Sequence, residues 1–267
     1  MVDRFTVCAA LAVFLCAAPV GAGDAPTPAT STVTAPAAGQ AKKMLDEAYA
    51  LFFAYHTNMG NIQKAIDILE NAIKMEPNNA EAYRRISRII LAGGDMLAKE
   101  KKEKIAWFTR GEEMAKKAIE IEDNNWESHF WYMANHGRIA QTKGLLSSLF
   151  MLPEIQKHMD RAIELNPKAV LALDAKGVMY YELPWIKGGD TDKSIEWLKK
   201  ACDLDPNFTL AHLDLAKSLV RKKMYKEARV EVDYVLNHKT PTYMMDWAMW
   251  DVPKSKELLV EIEEHLK

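Results

Sequence analysis

Five times along this chain a helix-like stretch ends, breaks on a proline or an aspartate, and restarts in the same register. The segments "AIKMEPNNAEAY" (72–83), "AIEIEDNNWESH" (118–129), "AIELNPKAVLAL" (162–173) and "ACDLDPNFTLAH" (201–212) align, with breaks at Pro77, Asp123, Pro167 and Pro206. A weaker fifth copy, "VLNHKTPTYMMD" (235–246), breaks at Pro241. The intervals between breaks are 46, 44, 39 and 35 residues. A unit of that length holds two helices and cannot bury its apolar face alone, so neighbouring units must stack. The chain is thereby confined to an all-α solenoid of about ten repeat helices.

The small and large positions within each unit carry a resemblance. Leu173, Gly177 and Tyr180, then Ser194, Leu198, Ala201 and Pro206, follow the 34-residue helix-turn-helix frame, as do Ala65, Leu69, Ala72 and Pro77. The chain resembles tetratricopeptide (TPR) repeat proteins over roughly residues 44–241. The resemblance implies a right-handed superhelix of about five units across residues 41–252. The stretch "PKSKELLVEIEEHL" starts on Pro253 and reads as an amphipathic C-terminal capping helix over 253–267.

Against the 34-residue frame, three units carry extra residues: 12, 10 and 5, all at the turn inside a unit. Insertions at equivalent turns leave a solenoid along one edge. Both copies of "GGD", Gly93-Gly94-Asp95 and Gly188-Gly189-Asp190, fall at this turn. They read as joints, with glycine ending one helix in a left-handed cap and Asp or Thr191 opening the next. A phosphate loop would need glycine ahead of its Lys-Ser, where Asp192 stands. A calcium loop starting at Asp190 would need a glutamate where Ala201 stands.

The N-terminus has the parts of a secretory signal: Arg4, an apolar stretch over 5–20, and small residues before a cut at Gly23. Residues 1–22 are therefore expected to be a signal peptide, and export to the periplasm or medium follows. Neither Cys8 nor Cys16 follows a small residue, so a lipid anchor is not expected. Residues 23–40, rich in Ala, Pro and Thr, read as a flexible linker. Beyond the signal only Cys202 remains, which excludes an internal disulfide.

Lys and Arg number 35 against 37 Asp and Glu, for a net charge of −2, which argues against a nucleic-acid or anionic-membrane surface. The membrane is expected to be met through the signal peptide alone. No nucleophile, metal or cofactor motif appears; His129 and His136 lie two turns apart and take packing positions of the frame. The chain reads as a non-enzyme without cofactor or metal.

Two apolar stretches exceed what the repeats need: "LLSSLFML" (145–152) in the second insertion and "LPWI" (183–186) in the third. Leaving the same edge, they are expected to meet, with Trp185 shielded by Leu146, Leu149 or Phe150 at the edge of an apolar pocket. A third, "YMMDWAMW" (243–250), is expected to cover the open end of the stack.

"HFWYMANHGRIAQTKG" and "YYELPWIKGGDTDKSIEWL" carry a narrower resemblance over about residues 110–220. The segment is similar to the bacterial TatT family, TPR components associated with periplasmic TRAP transporters, and to the eukaryotic regulators of microtubule dynamics. The TPR resemblance further implies a groove face on the first helix of each unit. On this chain that face includes Arg84, Arg88, Phe130, Arg138, Asp174, Tyr181 and Lys217, a mixed apolar and cationic lining suited to an acidic peptide or carboxylate end. The implied function is a periplasmic scaffold that binds a protein partner, such as a solute-binding protein. The alternative is a carrier of an apolar or carboxylate small molecule beside a TRAP-type uptake system.

Overall fold

A computed structural model describes residues 35–267, with side chains from residue 39 onward. Residues 1–34, which include the expected signal peptide 1–22, lie outside the described residues. Among the described residues, ten helices pair into five hairpins: α1 (Ala35–Phe53) with α2 (Gly60–Met75), α3 (Ala80–Met96) with α4 (Lys101–Ile121), and α5 (Trp126–Lys143) with α6 (Leu145–Leu165). Then α7 (Val170–Glu182) pairs with α8 (Thr191–Leu204), and α9 (Thr209–Arg221) with α10 (Tyr225–Asn237). The chain ends in a short helix α11 (Met244–Asp246), a π turn Trp247–Asp251 and the helix α12 (Val252–Leu266). Helix α1 takes in residues 35–40, which composition assigns to the linker. Three of those six are alanine, the strongest helix former, and Pro36 falls in the first turn, where its missing N–H is not needed.

The repeat has a physical cause at each break. The second helix of a unit closes with a backbone bond onto an alanine carbonyl: Glu76 to Ala72, Glu122 to Ala118, Asn166 to Ala162 and Asp205 to Ala201. Those alanines are fully buried, because only a small side chain lets the next helix approach there. Asn79 and Asn125 then open α3 and α5 by accepting from the N–H of Ala82 and Glu127, both at 3.0 Å. Gly177 fills the small position of α7, where a Cβ would come within 2.5 Å of Leu198. Cys202 is buried in the core of the last two hairpins, and burial pushes its thiol up.

The insertions are built into helices. α3 to α6 run to 17, 21, 18 and 21 residues, against 13 or 14 in α7 to α10. The first GGD is accordingly no cap: Gly93 and Gly94 lie inside α3, where a Cβ would meet the Trp107 ring at 2.3 Å and the Phe108 ring at 2.5 Å. They permit close helix crossing. The second copy is a joint. Gly188 takes a left-handed φ of 91°, and Asp190 caps α8 by accepting from the N–H groups of Asp192 and Lys193.

The C-terminal segment does more than cover an end. It crosses the concave side to the first hairpin, where the Tyr55 hydroxyl donates to Asp246 at 3.0 Å. Tyr243 stacks on Phe53, and Met245 is buried in the core of α1 to α3. On the other side the Thr209 hydroxyl donates to Asp251 at 2.7 Å, and the Trp247 indole donates to the Val235 carbonyl at 2.9 Å. Helix α12 packs on α10 and α9.

Candidate functional site

The cationic residues of the groove face are satisfied by the chain itself. Arg84 is buried and paired with Glu122, with Glu127 at 3.8 Å. Arg88 is enclosed by the rings of Tyr49, Phe52, Phe53, Trp131 and Tyr243, its guanidinium carbon 4.6 to 6.0 Å from their centroids. Arg138 pairs with Asp95, and Lys217 with Asp214 at 2.6 Å. The expected cationic lining for a carboxylate is therefore corrected. The inward stride places these residues on the concave side, but Glu122 and Asp95 reach Arg84 and Arg138 from elsewhere in the chain, Asp214 reaches Lys217 from three residues along α9, and Arg88 is held among rings.

What the concave side leaves open includes two chambers that share a wall on one helix. One, of about 560 Å³, lies among α5, α6 and α7. It exists because α6 and α7 meet over a far shorter stretch than α4 and α5 do. Its wall is mostly apolar: Phe130, Met133 and Ala134 from α5, Leu145, Leu149, Leu152 and Ile155 from α6, and Val178 and Met179 from α7. The Arg138–Asp95 pair, Gln141 and Ser148 supply polar edges.

The insertion that opens α6 thus lines a pocket, but not with all the residues expected. Leu145, Leu149 and Leu152 stand at i, i+4 and i+7 of the helix and face inward. Leu146 and Phe150 fall on the opposite face, and Phe150 is 85% exposed. Trp185 lies on a turn of 3-10 helix at Trp185–Lys187 and is 84% exposed, so the shielding expected for it does not occur. Of the four pocket-edge residues, Leu149 lines the chamber and the other three face solvent. Leu183 reaches the chamber from the third insertion.

The second chamber, of about 430 Å³, lies among α7, α9, the π turn and α12. It shares Ala175, Val178 and Glu182 of α7 with the first. Asp174, Tyr181 and Lys217, all on the expected groove face, line it together with Asp214, Trp250 and Glu257. Asp174 is 6% exposed, and its Oδ1 has no hydrogen-bond partner among the described residues. Burial, reinforced by Asp214, holds its carboxyl well above the usual range. Burial pushes Glu182 up to about 8 against the pull of Arg221, and Asp251, just behind Trp250, up to about 7. Sequence reasoning missed Glu182, although it lies one turn beyond Val178 on the same stride of α7.

His129 Nδ1 meets His158 Nδ1 at 2.9 Å, and His136 pairs with Glu112. Among the described residues no group of three or more His, Cys, Asp or Glu is placed to hold a metal ion.

Five stacked helix hairpins closed by a C-terminal helix define the chain as a TPR-type solenoid. Solved structures share this fold: a thermophilic TPR protein of Thermus thermophilus superposes with a TM-score of 0.60 at 16% identity, over 85% of this chain and 98% of that one. PilW, a type IV pilus biogenesis factor, gives 0.52 at 16%, over 85% and 92%. Within that class the family is specific. The model of Regulator of microtubule dynamics protein 1-3 matches residues 44–251, and the chain belongs to this family. Regulator of microtubule dynamics protein 1 of Bos taurus is 25% identical over 148 residues, 50% of this chain and 47% of that protein. Protein 3 of Rattus norvegicus is 32% identical over 97 residues, 34% and 21% of the two chains. The chain spans about half or less of the length of these curated relatives.

Proposed function

We propose that this protein is an exported, non-enzymatic binding protein that carries an apolar small molecule in the chamber between α5, α6 and α7. The observation behind this reading is the contrast on the concave side. Tyr243, Met245 and Asp246 pack into the first units, whereas no segment of the described residues packs into the apolar chamber of about 560 Å³. That size and lining suit an alkyl or lipid-like ligand. The TatT resemblance adds a periplasmic setting beside a TRAP-type uptake system. Mass spectrometry of organic extracts from protein isolated out of its native compartment tests the reading. Wild type is expected to yield a bound apolar compound that the Leu149→Arg variant lacks, and equal, empty extracts from both would refute it.

A protein-docking role is supported by a second observation. Leu146 and Phe150 on α6, and Trp185 and Ile186 on the turn after α7, are exposed on the two elements that frame the chamber. Exposed apolar residues beside a cavity suit a partner that covers its mouth. A periplasmic solute-binding protein is the partner that the TatT resemblance implies. Crosslinking from position 185 in periplasmic extract tests this, and loss of any crosslink in Phe150→Ser would support it.

A further inference from the structure

The chamber beside the apolar one is acidic, and its basic residues are already engaged. Lys217 pairs with Asp214 and Lys254 with Glu257, each at 2.6 Å. Asp174, Glu182 and Glu261 line the same space; Lys217 draws on Asp174 and Arg221 on Glu182, but burial outweighs that pull at both. Asp174 is the telling member: it is more than nine-tenths buried, lines the chamber, and leaves Oδ1 without a hydrogen-bond donor. A buried carboxyl oxygen left unsatisfied is costly, so a donor supplied by a ligand gains more there than at a solvated site.

We infer that the ligand is an alkylammonium compound, whose cationic head enters the acidic chamber while its apolar tail lies in the chamber between α5, α6 and α7. The inference rests on the apolar-ligand reading and names the ligand's polar end. The two spaces adjoin at Ala175, Val178 and Glu182, which line both. An ammonium nitrogen can donate to Asp174, while Glu182, eight residues and about 12 Å further along α7, borders both chambers. A carboxylate head would meet these carboxyls with no unengaged cation, which reverses the polarity expected from the arginines of the groove face.

Titration calorimetry on the full chain with three ten-carbon probes, decanol, decylamine and decanoate, tests the assignment near pH 9, where Glu182 has given up its proton. Decylamine is protonated there, as a lysine is. It should bind about tenfold or more tighter than decanol, the scale of one hydrogen bond to a charged group, and decanoate should bind weakest. Asp174→Asn should erase most of the decylamine advantage and leave decanol unchanged. If that variant melts markedly lower, Glu182→Gln, on the border of both chambers, is expected to lower the decylamine advantage while sparing decanol. Decanol binding without any preference for decylamine, or decanoate binding best, would overturn the cation assignment and leave the apolar chamber standing. Failure of both decanol and decylamine to bind would overturn both readings.

Discussion

Asp251 offers a direct measure of how closed the C-terminal segment is. Its carboxyl is 1% exposed; one oxygen accepts from Thr209 at 2.7 Å, and the other has no partner among the described residues. Burial raises it from the ordinary 3.8 to about 7. The folded chain therefore holds a proton that the unfolded chain releases once pH passes about 4. The sign follows: stability is greatest below about pH 4 and is lost as pH rises toward about 7. At 1.36 kcal/mol per unit, the whole penalty above pH 7 is about 4 kcal/mol, of which about 2 kcal/mol accrues between about pH 5.5 and about pH 8.

Asp251→Asn keeps an acceptor for Thr209 and removes the titration. Melting followed by circular dichroism in the two buffers should show the variant gaining about 2 kcal/mol relative to wild type on going to the higher pH. For a chain of this size that is roughly 4–8 °C in Tm. Asp174 and Glu182 tilt the wild-type curve the same way, so the double difference, not the slope, isolates residue 251. An offset between variant and wild type that is equal at both pH values would refute a buried, proton-holding Asp251, and with it the seating of the π turn against α9.

Other perturbations separate the parts of the molecule. Gly189→Ala should be far more damaging than Gly188→Ala, because a Cβ at 189 would lie 1.7 Å from the Leu183 carbonyl oxygen while one at 188 meets open space. The Gly188 change should cost only the left-handed strain, about 1–2 kcal/mol in a denaturant titration. Met245→Ala should cost about 2–5 kcal/mol, as for other buried methionines, and should speed proteolysis between residues 238 and 250. Trp185→Ala should leave the melting curve within about 0.5 kcal/mol of wild type, since the ring is solvated, while reducing capture of a docking protein.

The repeat was legible because its causes are local: a small buried residue, a proline or Asx break, and a helix cap recur within a dozen residues. Where an expectation failed, the missing information lay elsewhere in the chain. The sequence places Leu146 and Phe150 at the pocket edge with Leu149, and only helical phase separates them from Leu145, Leu149 and Leu152. The charges on Arg84 and Arg138 were plain, but Glu122 and Asp95 reach them from 38 and 43 residues away. Tyr55 and Asp246 are 191 residues apart, and no periodicity announces that the last segment returns to the first hairpin.

The position of the site follows from helix length. A short solenoid whose own C-terminal segment fills its groove keeps space where adjacent hairpins fail to match. Here α5 and α6, at 18 and 21 residues, outrun α7 and α8, at 13 and 14. The overhanging turns of α6 carry leucines that no partner helix covers, and those leucines wall the apolar chamber. Behind it, α7 must face both that chamber and the returning segment, which is why its inner stride carries both Val178 and the carboxyls of Asp174 and Glu182. Shortening α6 by its first two turns would remove the wall and leave the acidic face of α7, so the loss of apolar binding should separate from the fold itself.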